Sequence, residues 1–178
     1  MKKYKILFAD LDDTLIQTRS GKTFAQGMWD MELKLDVLDK IKELAPDYVF
    51  IVTNQGGIGK FFTEEEFVTK LNYIEVAIKS YIKHPNLKEV QSMYCDSMDK
   101  QDPFRKPNPG MVNYFIKKLN GLYKKEDMLM IGDASGNEGD FSDSDIKCAV
   151  QAGIDYLDVD IFLKVTFFEY VYRINGNR

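Results

Sequence analysis

The chain has 178 residues, enough for one domain with a substantial hydrophobic core. Apolar residues make up 44%, charged residues 29%, and the net charge of −4 argues against a broad basic surface that coats nucleic acid. Apolar runs of only a few residues are too short to span a bilayer, so no membrane association is expected. Cys95, Cys148 and the one histidine, His84, are too few for a structural zinc site built from four such ligands. Asp10 and Asp12 directly after the first apolar run do not fit a signal peptide. The expectation is a reduced, cytoplasmic protein with a single domain over residues 1–178.

Strand and helix signals alternate along the chain. Tyr4 to Ala9 is a short apolar strand ending at a carboxylate. Leu33, Val37, Leu38, Ile41 and Leu44 follow at helical spacing, and Pro46 stops that segment. Tyr48 to Val52 is a β-branched and aromatic strand ending at Thr53-Asn54. Thr63 and Glu66 form a capping-box pattern ahead of Phe67, Leu71, Ile74, Ile78 and Ile82. Val90 to Cys95 reads as a third strand, and Asn108-Pro109 opens a helix carrying Val112, Phe115, Ile116 and Leu119. Met128 to Ile131 is a fourth strand, ending at Gly132-Asp133; Ser144 starts a helix that Gly153 ends, and Ile154 to Leu157 is a fifth strand. Residues 158–172 fit either helix or strand. Continuous apolar runs without alternation suit strands buried on both faces, so the pattern predicts a doubly wound, Rossmann-like α/β domain with a mostly parallel sheet.

Ligand sites in such sheets lie at the carboxyl ends of the strands. Asp10, Asp12, Thr53, Asn54 and Asp133 all follow strand ends, and Arg105-Lys106 precedes a helix. A carboxylate nucleophile can split one hard displacement into two easier ones through an acyl-phosphate. A second carboxylic acid can protonate the leaving alcohol and then deprotonate the attacking water. Two carboxylates repel a phosphate dianion, so a cation is required. Magnesium suits a few carboxylates with phosphate oxygens and water, and Asp133 is a further carboxylate for it. Thr53 offers a hydroxyl and an N–H to phosphate oxygens, and Lys106 a positive charge.

The set Asp10-x-Asp12-x-Thr14-Leu15, Thr53, Lys106-Pro107 and Gly132-Asp133 resembles the four motifs of the haloacid dehalogenase (HAD) superfamily, in that family's order. The resemblance implies Asp10 as nucleophile, Asp12 as general acid/base, Thr53 as phosphate binder and Lys106 as charge stabiliser. It implies Mg2+ held by Asp10, the main-chain carbonyl of Asp12 and Asp133. A further acidic residue often supports the metal from behind. Asp140, Asp143 and Asp145 are the candidates, with Asp145 favoured. The spacing leaves little room for a separate cap domain, so a capless HAD-type domain with an open site is expected.

Three stretches are more specific: Thr14 to Lys22, Thr53-Asn54-Gln55-Gly56-Gly57-Ile58-Gly59-Lys60, and Arg105 to Met111. With Gly132 to Gly136 and Asp140-Phe141-Ser142-x-x-Asp145, they resemble the 3′-phosphatase domain of polynucleotide kinase-phosphatases. This chain departs from that family at Asn137, where arginine is usual, and at Val112, where tryptophan is frequent. The resemblance implies a phosphate-monoester substrate, with a nucleic-acid 3′ end as the best guess. Asn54, Arg19, Lys22 and Arg105 would bind it. No partner protein is implied.

Histidinol-phosphate and heptose-bisphosphate phosphatases share the Thr-Asn-Gln and Arg-Lys-Pro stretches. They usually carry a Cys/His zinc loop before the latter, whereas residues 95–104 here hold one cysteine and no histidine. A small-metabolite phosphatase is the alternative, and a non-catalytic phosphate- or partner-binding module the second alternative. Gly56 to Lys60 is not a P-loop, because Phe61 stands where a metal-binding Ser or Thr belongs. Trp29, with Phe24 and Met28, fits substrate stacking or packing over the site mouth. His84 is expected in an exposed loop, and both cysteines are expected to be buried or partly buried.

Overall fold

A computed structural model describes residues 4–23 and 25–165. In chain order its elements are β1 (Ile6–Ala9), β2 (Ile16–Gln17), β3 (Glu32–Leu33), α1 (Leu35–Leu44), β4 (Tyr48–Asn54), α2 (Glu64–Ile82) and β5 (Glu89–Cys95). There follow α3 (Gly110–Lys118), a 3-10 turn (Lys125–Asp127), β6 (Met128–Gly132), α4 (Ser144–Ala152), β7 (Asp155–Asp158) and α5 (Val159–Lys164). The main sheet has the order β5-β4-β1-β6-β7, and all its pairings are parallel.

The unbroken apolar runs reflect burial on both faces. Leu7 and Ala9 of β1, with Val49, Ile51, Leu129 and Ile131, face a core closed by α1, α2 and α5. Ile6 and Phe8, with Phe50, Val52, Met128 and Met130, face the core under α3 and α4. There Phe50 and Phe115 stack with centroids 4.2 Å apart. Each such fully buried side chain contributes roughly 1.5–3 kcal/mol.

Local signals explain the helix ends. Thr63 and Glu66 form the reciprocal capping box at the start of α2. Gly153 ends α4 in the left-handed conformation. Leu33 departs from the helical expectation. It pairs in β3, opposite Ile16, because the chain returns as a short antiparallel hairpin before α1 begins. The ambiguous segment is helical through Lys164, while residues 166–172 lie outside the described residues, as does Phe24. His84 is half-buried rather than exposed, its Nδ1 accepting from the Asn86 N–H at 3.2 Å. Cys95 and Cys148 are both buried. No described helix is long and apolar enough to cross a membrane.

Candidate active site

β1 sits at the centre of the sheet, with β4 and β6 beside it, so the loops after these strands share one edge. Asp10 leaves β1 with its N–H on the Ile131 carbonyl of β6, at 3.0 Å. The next residues turn sharply. Asp13 takes a positive φ of 55°, and Lys34 Nζ holds its carbonyl at 2.8 Å. Thr14 is buried beneath this turn, its hydroxyl 3.4 Å from Asp133 Oδ1.

Lys106 arrives from the loop between β5 and α3. Its ammonium is buried and contacts Asp10 Oδ1, with Asp145 Oδ1 at 2.8 Å. Burial alone would depress this lysine, and the two carboxylates outweigh that and raise it. Asn54 fixes the lysine's backbone. Its Nδ2 donates to the Lys106 carbonyl and its Oδ1 accepts from the Lys106 N–H, both at 2.9 Å. Asn54 was expected to bind substrate. Both ends of its amide contact the Lys106 backbone, which holds the lysine in place.

Asp10, Asp133 and Asp145 each offer a carboxylate oxygen, and these lie within 4.8 Å of one another. Burial pushes the Asp133 carboxyl up to about 6, with Asp145 adding to the rise. Burial likewise raises Asp10, Lys106 opposes it, and Asp145 and Asp12 reinforce it. Three hard oxygen donors against one lysine leave excess negative charge, the setting a divalent cation fits. The Asp12 carboxylate lies outside this trio and is exposed.

Of the three candidates behind the metal, Asp145 is the one at the site. It opens the first turn of α4, and a Cβ on Gly132 would come 2.2 Å from its Oδ2. Only glycine leaves that space. Asp140 accepts from the N–H groups of Ser135 and Asn137, and Asp143 pairs with Lys147 at 2.5 Å.

The remaining expected contacts are peripheral. Arg105 Nη1 donates to the Ser97 carbonyl at 2.6 Å. Arg19 and Lys22 lie on the exposed loop after β2, and Lys22 donates to Gln26 Oε1 at 2.9 Å. Trp29 is half-exposed and meets Tyr73 of α2 edge-on, with centroids 5.5 Å apart.

Two buried polar residues near these elements are not among the expected ones. Gln55 is buried, and its Nε2 donates to Asp12 Oδ2 at 2.6 Å and to Thr53 Oγ1 at 2.9 Å. Its signal was the two-residue spacing from Thr53, which keeps both side chains on one side of an extended chain. Lys70 is buried on α2, depressed by burial while Asp12 and Asp30 oppose that shift. A lysine three residues after Phe67 and one before Leu71, on the apolar stripe, was its signal.

The polynucleotide kinase 3 phosphatase family model matches residues 5–162. The chain belongs to that family. It is 31% identical over 158 residues to the bifunctional polynucleotide phosphatase/kinase of Schizosaccharomyces pombe, covering 87% of this chain and 36% of that protein. It is 34% identical over 134 residues to the histidine biosynthesis bifunctional protein HisB of Buchnera aphidicola, covering 72% of this chain and 36% of that protein. The chain therefore spans about a third of the length of these two relatives. The D,D-heptose 1,7-bisphosphate phosphatase of B. bronchiseptica, solved with magnesium and phosphate, superimposes with a TM-score of 0.63. That match has 19% identity and covers 85% of this chain and 78% of the other. The shared architecture is that of HAD-like phosphatases, enzymes that hydrolyse phosphate esters.

Proposed function

We propose that the chain is a magnesium-dependent phosphomonoesterase that works through an aspartyl-phosphate and acts on 3′-phosphorylated nucleic-acid ends. The observation carrying this reading is the buried trio Asp10, Asp133 and Asp145 around the ammonium of Lys106.

Asp10 attacks the phosphorus atom, and the bond from phosphorus to the ester oxygen breaks. Asp12 gives its proton to that oxygen, so the alcohol leaves neutral. Asp12, now a carboxylate, takes a proton from water, which attacks the phosphorus. The acyl-phosphate bond breaks, inorganic phosphate leaves and Asp10 is regenerated. The Thr53 hydroxyl and the Lys106 ammonium stabilise the phosphoryl oxygens during both transfers. Asp10, Asp133 and the Asp12 carbonyl would hold Mg2+, which when bound supplies positive charge to the phosphoryl group. Asp145 has one oxygen on Lys106 and the other 3.3 Å from the Ala134 N–H, so it supports rather than reacts.

The nucleic-acid end as substrate is supported by the family match and by the exposed cations Arg19 and Lys22 on the loop after β2. A small-metabolite phosphate is the second reading, favoured by the likeness to HisB. The test is phosphate release, with magnesium, from 3′- and 5′-phosphorylated oligonucleotides and a panel of small phosphates. The expected result is a preference for the 3′ end that Asp10→Asn abolishes. Preference for a small phosphate would replace the substrate assignment. Turnover surviving in Asp10→Asn would overturn the mechanism.

A further inference from the structure

Gln55 stands where the general acid/base and the phosphate-binding hydroxyl meet. Its backbone is fixed by the sheet edge, with its N–H on the Cys95 carbonyl at 2.7 Å and its carbonyl accepting from the Ile58 N–H at 3.2 Å. The residue is 8% exposed. One amide nitrogen serves two partners, Asp12 Oδ2 and Thr53 Oγ1. The nitrogen end of the amide faces Asp12, donating to its Oδ2 at 2.6 Å. Both amide hydrogens are then used, one on each partner.

Two consequences follow from this donor pattern. Asp12 has one oxygen tied down, which fixes the side chain and leaves Oδ1 to exchange the proton with the substrate. Thr53 receives a hydrogen bond on its oxygen, so its own O–H is turned outward as a donor, the polarity a phosphoryl oxygen needs. We propose that Gln55 is a positioning residue that sets Asp12 and Thr53 in register for proton transfer to the leaving group. The inference rests on the phosphatase reading above and adds a residue to it.

The test separates proton delivery from phosphoryl transfer. An alkyl phosphate, such as a 3′-phosphorylated oligonucleotide end, needs a proton on its leaving oxygen, whereas 4-nitrophenyl phosphate releases a stable anion. The quantity read is kcat/KM, which reports the steps up to departure of the leaving group. In Gln55→Met, the ratio of alkyl to nitrophenyl kcat/KM is expected to fall about tenfold or more, within the range that positioned proton transfer contributes. Gln55→Glu is expected to fall at least as far, because it sets an acceptor against Asp12. In an Asp12→Ala background, adding Gln55→Met should change the ratio less than twofold. An unchanged ratio in the single variants, with both substrates slowed equally, would assign Gln55 to structure only and overturn the proposal. A full-sized drop on top of Asp12→Ala would also overturn it, because Gln55 would then not act through Asp12. Should Gln55→Met fail to fold, Gln55→Glu carries the same comparison. A parent chain that turns over neither substrate would sink the phosphatase reading itself.

Discussion

Replacing Lys106 by methionine tests how the site is held together. The lysine is 4% exposed, and its two partners, Asp10 and Asp145, are 8% and 1% exposed. The substitution keeps most of the side-chain volume and removes the charge. It leaves two buried carboxylates, with Asp133 close by, lacking the cation that offsets them. Breaking a buried pair in this way costs ~3–5 kcal/mol. At ~2–4 °C per kcal/mol for a domain of this size, the melting temperature should drop by roughly 6–20 °C in metal-free buffer at pH 8. The pH dependence has a defined sign. Without the lysine, burial and mutual repulsion raise the folded carboxylates above their unfolded values near 4. The folded state then holds protons more tightly, so its stability is greatest at low pH and lost as pH rises through those raised values. The deficit relative to the parent should therefore be smaller at pH 5 than at pH 8. Adding Asp145→Asn should recover part of it at pH 8. Melting curves followed by circular dichroism at the two pH values suffice. A Lys106→Met chain melting within 2 °C of the parent at pH 8 would refute the reasoning.

Asp133→Asn should separate stability from function. Asp133 is pushed up from 3.8 to about 6, so the metal-free parent loses stability as pH rises through that window, and the asparagine variant should melt higher above pH 6. The same variant should lose the magnesium-induced rise in melting temperature and the phosphatase activity. Gly132→Ala puts a methyl group 2.2 Å from Asp145 Oδ2; the overpacking should cost about 1–3 kcal/mol, and an undisturbed crystal position for Asp145 would refute the steric argument. Asn54→Ala removes both hydrogen bonds to the Lys106 backbone. It should lower kcat/KM on the order of 10²-fold with a stability loss of about 1–3 kcal/mol, so a change in KM alone would show that Asn54 binds substrate.

The sheet was legible because both its faces are buried, which wrote continuous apolar runs at β1, β4 and β6. The strand ends then located Asp10, Thr53 and Asp133 without any knowledge of contacts. The β2–β3 hairpin was not legible. It has two residues per strand, too few for alternation to register, and Leu33 happens to continue the spacing of α1. The resemblance favours Asp145 over Asp140 and Asp143, and the coordinates add the packing against Gly132 and the contact with Lys106 that the sequence does not show. The contact of Asn54 with Lys106 is hidden in the sequence for a related reason. An amide beside a phosphate site looks like a ligand contact in sequence, and its backbone partner lies 52 residues away.

An acidic chain can act on a polyanion if it recognises one end and does not coat the backbone. A terminal monoester needs concentrated charge at one point, which on the proposed function Lys106 and a bound cation would supply within the site. Charges spread over the remaining surface are screened beyond about 8–10 Å at physiological salt. Arg19 and Lys22 after β2 and Lys60 after β4 are exposed, and of these Lys22 is hydrogen-bonded to Gln26. If those three each neutralise one backbone phosphate of a single strand, log kcat/KM should fall against log salt with a slope near −2, from about −0.7 per contact. Arg19→Ala should make that slope shallower by about 0.7. Turnover of a 3′-phosphorylated oligonucleotide well below KM, from low to physiological salt, measures it directly. A slope steeper than about −4 would require an extended basic track, which is incompatible with end recognition by these three cations.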